Sequence, residues 1–133
     1  MKLHHIGVVV PNIQDSLGEL KRFMNFQSVS LPMPVGTRKV NVCFLKIGEP
    51  FLELIEPASA DSAISDFAQK GGGVHHLCFE VNDIQKEVDA MVRSGAVLLV
   101  APERGFDNRR IAFVDLNIIN TNCGLIEFIE TQK

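Results

Sequence analysis

Two stretches, Leu3-His4-His5-Ile6-Gly7 and Val74-His75-His76-Leu77-Cys78, decide the reading of this chain, because together they hold all four of its histidines. The likeness between them continues downstream. Val10, Asn12, Ile13, Gln14 and Leu17 match Val81, Asp83, Ile84, Gln85 and Val88 at the same spacing, and Arg38-Lys39-Val40 matches Arg109-Arg110-Ile111. Leu52-Glu53-Leu54-Ile55-Glu56 then recurs as Ile126-Glu127-Phe128-Ile129-Glu130, with three extra residues in the second copy. A period of half the chain is too long for a solenoid and describes one domain built from two similar halves.

At 133 residues the chain is long enough to bury a core as a single domain. Its net charge of -3 argues against broad binding to nucleic acid or anionic membrane. No apolar run approaches the length of a membrane span and the first ten residues carry no signal pattern. Cys43, Cys78 and Cys123 are odd in number and sit in apolar runs, which fits reduced, core-packed thiols and a cytoplasmic location.

Taken in order, residues 3–10 alternate as a strand, with His5, Gly7 and Val9 on one face. Asn12 caps a helix over 13–24. Strands follow at 26–31, 39–47 and 51–56, with a loop over 32–36. Residues 58–73 form a linker with a short helix capped by Asp61 or Ser62, its apolar face made by Ile64 and Phe67, stopped by Gly71-Gly72-Gly73. The second half repeats the plan: strand 74–81, helix 84–94 capped by Asp83, strand 96–101, a polar loop over 102–108, and strands 110–115 and 125–130 joined through 117–124. The expectation is therefore an α+β protein of two βαβββ modules, 1–57 and 74–133, within one domain spanning 1–133.

Polar residues recur at matched places inside apolar strands. Glu53 and Glu127 are each flanked by Leu, Ile or Phe, where a carboxylate is costly to bury unless it is paired or holds a cation. Each half also has a histidine on its first strand. Two pseudo-symmetric halves would bring His5, Glu53, His76 and Glu127 to one centre, a donor set suited to a divalent first-row ion such as Co, Ni, Mn or Zn. His4 and His75 fall on the opposite strand face and read as structural; Glu56 and Glu130 alternate away from the centre and read as solvated. Arg38, Arg109 and Arg110 stand before the third strand of each half, where a carboxylated or phosphorylated substrate would meet positive charge.

With Gly73-Val74-His75-His76-Leu77-Cys78-Phe79-Glu80-Val81 and Glu53-Leu54-Ile55-Glu56-Pro57 in view, the chain resembles the vicinal oxygen chelate (glyoxalase/bleomycin-resistance-like) superfamily, and within it the methylmalonyl-CoA epimerase branch. The resemblance covers nearly the whole chain. It implies a cupped eight-stranded mixed sheet around a metal, commonly in a homodimer, and places the family's ligands on His5, Glu53, His76 and Glu127. It further implies an isomerase that moves a proton α to the carbonyl of a small thioester substrate through an enediolate, with Glu127 as base and Glu53 serving the opposite face. A glyoxalase I (lactoylglutathione lyase) activity suits the same four residues. A non-enzymatic binding or resistance protein on this fold would have lost them, and an extradiol dioxygenase would use two histidines and only one carboxylate.

Overall fold

The computed structural model describes residues 1–105, 107–116 and 124–132. These form nine strands, three α-helices and one 3-10 turn, in the α+β class expected. No helix is long and apolar enough to cross a membrane among the described residues. The chain divides into two compact units, Ile6–His75 and Met1–His5 with His76–Lys133.

In the Ile6–His75 unit the order runs from the end of β1 (Lys2–Val9) through α1 (Ile13–Phe23), β2 (Ser28–Val29), β3 (Met33–Val35), the 3-10 turn Gly36–Arg38, β4 (Val40–Lys46) and β5 (Phe51–Pro57) to α2 (Ser65–Gln69). β4 pairs antiparallel with β5 along its whole length, from Val40 opposite Pro57 to Lys46 opposite Phe51. Its side chains alternate, and both sides are covered. Val40, Val42 and Phe44 pack with Val9, Ile55, Ile64 and Ala68, while Cys43 and Leu45 pack with Ile13 and Leu54. A strand buried on both faces needs an unbroken apolar run rather than an alternating one, and Val42-Cys43-Phe44-Leu45 supplies it.

Local chemistry fixes the ends of α1. Asn12 is extended and its side chain accepts from Asp15 N at 2.9 Å. Glu56 Oε1 accepts from Ile13 N at 2.8 Å, so a residue expected to be solvated instead satisfies a first-turn amide that has no partner within the helix. The loop expected over 32–36 contains β3, paired with β4 through Met33, Pro34 and Val35. Two prolines hid it, because Pro lacks a ladder donor and is tolerated at a sheet edge. The linker helix is shorter than expected. Asp61 is committed to Lys39 and Ser59 rather than to a cap, and Ala68 takes the buried place that Phe67, 38 % exposed, was expected to fill.

The other unit holds the start of β1, most of β6 (Gly73–Val81), α3 (Ile84–Arg93), β7 (Val97–Arg104), β8 (Arg110–Asp115) and β9 (Leu125–Glu130). β6 and β9 run parallel, with Cys78 opposite Glu127, and β9–β8–β7 continue antiparallel. Asp83 caps α3 by accepting from Lys86 N at 3.1 Å. One sheet face packs Val81, Ala112, Val114, Ile126 and Phe128 against Ile84 and Val88 of the helix, each fully buried aliphatic or aromatic side chain stabilising the fold by about 1.5–3 kcal/mol. The alternate residues His76, Cys78, Glu127 and Ile129 therefore share the opposite face. β7 runs on to Arg104, through Pro102 in the expected polar loop; register irregularities between Leu98 and Val100 and between Val100 and Glu103 accommodate it. Phe106, the 117–123 connection and Cys123 lie outside the described residues.

Candidate metal centre

β1 delivers His5, β6 delivers His76 and β9 delivers Glu127, all in the second unit described. They are 2 %, 3 % and 9 % exposed. His5 Nε2 lies 3.0 Å from Glu127 Oε1 and 3.1 Å from His76 Nε2, and His76 Nε2 lies 3.1 Å from the same carboxylate oxygen. Three donor atoms thus form a nearly equilateral triangle. Three such donors within contact of one another could hold a divalent ion and would leave its remaining positions to further ligands. Phe113 packs edge-on against the His76 ring, 5.5 Å between centroids, and limits how it can turn.

The electrostatics agree with this reading. Burial works against the charge of Glu127, but the hydrogen bonds and proximity of His5 and His76 outweigh it and hold the carboxyl well below the usual carboxylate range. The centre therefore keeps an anionic oxygen available for a cation.

Glu53, expected as a fourth ligand, is buried in the middle of β5 opposite Phe44, in the Ile6–His75 unit. Arg38 is half-buried in the 3-10 turn of that unit. Arg109 is engaged on several sides: Nε with Asp107 at 2.7 Å, Nη1 with Glu80 at 3.0 Å, and Nη2 with His4 Nε2 at 3.1 Å. Burial opposes its charge, but Asp107 and Glu80 prevail and raise its pKa. Arg110 pairs with Glu130 at 2.8 Å, so Glu130 is an ion-pair partner rather than a solvated acid.

His4 makes a contact that strand alternation did not anticipate. Its Cβ does leave the strand on the other side from His5, yet His4 Nδ1 lies 2.8 Å from His5 Nδ1. The δ nitrogen sits one bond from Cγ, close to the strand backbone, so opposite faces do not separate it from its neighbour. Burial, then His5 and Arg109, hold the His4 pKa below that of an ordinary imidazole. Cys78, completely buried, joins His4 and His5 in a second group of neighbouring donors. Its placement two residues after His76, on the same strand face, was the available signal.

Comparison with known proteins places the chain in a family. Residues 4–113 match the Glyoxalase/Bleomycin resistance protein/Dioxygenase superfamily. The chain is 33% identical over 133 residues to the "Uncharacterized protein YqjC" of Bacillus subtilis (strain 168), covering 98% of this chain and 93% of that one. It is 35% identical over 89 residues to the mitochondrial methylmalonyl-CoA epimerase of Homo sapiens, which is 65% of this chain and only 50% of the human protein's length. Its structure superposes with a TM-score of 0.86 on the Streptomyces coelicolor methylmalonyl-CoA epimerase in complex with 2-nitronate-propionyl-CoA, at 25% identity over 100% of this chain and 99% of that one. The chain belongs to the glyoxalase/bleomycin resistance/dioxygenase superfamily, has its glyoxalase-like fold, and counts methylmalonyl-CoA epimerases among its relatives and structural neighbours.

Proposed function

We propose that this chain is a divalent-metal-dependent epimerase that moves a proton on the carbon α to an acyl thioester, with a methylmalonyl-CoA-like substrate. The triangle of His5 Nε2, His76 Nε2 and Glu127 Oε1 carries the reading: three convergent, buried donors suit one divalent ion, with Co, Ni, Mn or Zn as the candidates. Bound there, the ion would supply Lewis acidity toward the thioester carbonyl and so favour loss of the α-proton. Glu127 is the base in this proposal. Its second carboxylate oxygen is not needed for the triangle and is the atom proposed to take the proton. Glu53 is proposed as the fourth ligand and as the carboxylate serving the opposite face of the carbon, on its place in β5 matching that of Glu127 in the duplicated sequence. Arg38 and Arg110 remain the proposed recognition points for the substrate's anionic groups; Arg109, expected as a third, is held by Asp107, Glu80 and His4.

Deuterium exchange tests this directly. The metal-free and the cobalt- or manganese-loaded chains are incubated with methylmalonyl-CoA in deuterated water, and label entering the α position is followed by NMR. Exchange that requires metal and disappears in Glu127→Gln is the expected result. Retention of both metal binding and exchange in Glu127→Gln would remove it as the base. Metal bound without exchange would discard this substrate and move the search to glutathione hemithioacetals, the glyoxalase I chemistry.

A further inference from the structure

An arginine can donate hydrogen bonds but never accept them. Arg109 Nη2 faces His4 Nε2 at 3.1 Å, so that nitrogen must present a lone pair. A neutral imidazole has a single N–H, which therefore sits on His4 Nδ1 and points at His5 Nδ1, 2.8 Å away. His5 Nδ1 accepts it, and the His5 hydrogen lies on Nε2, 3.0 Å from Glu127 Oε1. The polarity of the whole row is set at its far end by Arg109.

A cation on His5 Nε2 needs a lone pair at that atom, with the ring's remaining N–H directed outward from Nδ1. The His5 hydrogen must then sit on Nδ1 and His4 Nδ1 must accept. The His4 hydrogen is left on Nε2, where it meets Arg109 donor to donor. Each ring carries one hydrogen in both arrangements, so hydrogens change place while the pair's proton count stays fixed. Arg109 has Asp107 and Glu80 to retain it when it leaves His4.

We propose that Arg109, His4 and His5 form a two-position hydrogen-bond switch behind the metal centre. With Arg109 on His4, His5 shows the centre an N–H; with a divalent cation on His5, the row reverses and Arg109 releases His4. His4 and Arg109 are thus positioning residues that act on the centre through His5. The inference rests on the metal reading given under Proposed function.

Long-range proton–nitrogen NMR on the 15N-labelled full chain at pH 8 reads the tautomers directly, with zinc as the diamagnetic probe. The expected metal-free state has His4 protonated at Nδ1 and His5 at Nε2, and zinc exchanges both assignments. Chelator competition gives a second readout. Arg109→Met should bind zinc about tenfold more tightly, since it removes one charge-assisted bond that opposes the loaded row, and most of that gain should vanish in a His4→Phe background. A His5 already protonated at Nδ1 without metal, or zinc binding with no tautomer exchange, overturns the switch and leaves the metal centre standing. A gain that survives intact beside His4→Phe reduces Arg109 to simple charge repulsion and also overturns it. Zinc that fails to bind His5 and His76 overturns the metal reading and the switch together. The wild-type spectra carry the test even where Arg109→Met does not fold.

Discussion

Glu127→Gln keeps the shape of the side chain and removes its charge, and the consequences for the fold can be worked out without any metal. Two hydrogen bonds, at 3.0 and 3.1 Å, converge on one carboxylate oxygen in a buried setting. A bond to an ionised group is worth about 1.5–3 kcal/mol, and a neutral one roughly half that. Exchanging two such bonds costs about 1.5–3 kcal/mol, partly offset because an amide is cheaper to bury than a carboxylate. The net expectation is a loss of about 1–2 kcal/mol at pH 7 in EDTA. The pH dependence follows from the depressed pKa of Glu127. A carboxyl whose folded pKa lies below its unfolded value of about 4.3 contributes its full stability above that pH and loses it as pH falls through the folded pKa. The part of the gap between wild type and variant that the Glu127 charge supplies should therefore narrow progressively below about pH 4. Urea unfolding followed by circular dichroism is the assay, because the chain has no Trp or Tyr to report by fluorescence. A variant as stable as wild type at pH 7, or a gap that persists unchanged at pH 3, would show that burial of the charge outweighs its hydrogen bonds and refute the argument.

Other parts of the structure give equally direct tests. His76→Ala removes one corner of the donor triangle, and calorimetry with manganese or cobalt should show affinity lower by at least ~100-fold, beyond the 10–100-fold typical of losing a group that only supports a ligand. Undiminished binding would place the metal elsewhere. Gly72 has φ +72° and a Cβ there would lie 2.1 Å from Val9 O, whereas Gly71, φ +106°, faces open space. Gly72→Ala should cost at least about 2 kcal/mol in urea unfolding and clearly more than Gly71→Ala; equal losses would mean that the close approach to Val9 is relieved cheaply. Burial raises the Cys43 pKa, and Cys78 is equally enclosed. Peptide mapping after iodoacetamide at pH 8 should find both unlabelled in the native chain and labelled in urea, and rapid native labelling would contradict the packing.

The duplication made most of the fold legible. A repeated strand–helix–strand pattern fixes which residues share a face, so His5, Gly7 and Val9 were placed together on one face of β1 from alternation alone, the face that is buried, and the cap residues Asn12 and Asp83 were readable beside them. The same alternation put His76 and Glu127 on one sheet face. Alternation says nothing about atoms near the backbone, which is why the contact between His4 and His5 was missed. Nor does local sequence report partners distant in the chain. Glu56 and Glu130 looked solvated because the groups that occupy them, Ile13 N and Arg110, come from other elements. Proline concealed strand structure twice, at Pro34 in β3 and Pro102 in β7, both in strands where an absent ladder donor is tolerated.

β1 is shared between the two compact units, its first residues belonging with the half of the chain that is made last. His5 and His76 are separated by 71 residues, and Glu127 comes later still. On a ribosome adding about 5–20 residues per second, the interval between the emergence of residue 76 and that of Glu127 is roughly 3–10 s. Throughout it a cation meeting the nascent chain finds imidazoles without their carboxylate. In the proposed metal centre His5 would therefore be the first ligand made and the one that waits longest for its partners.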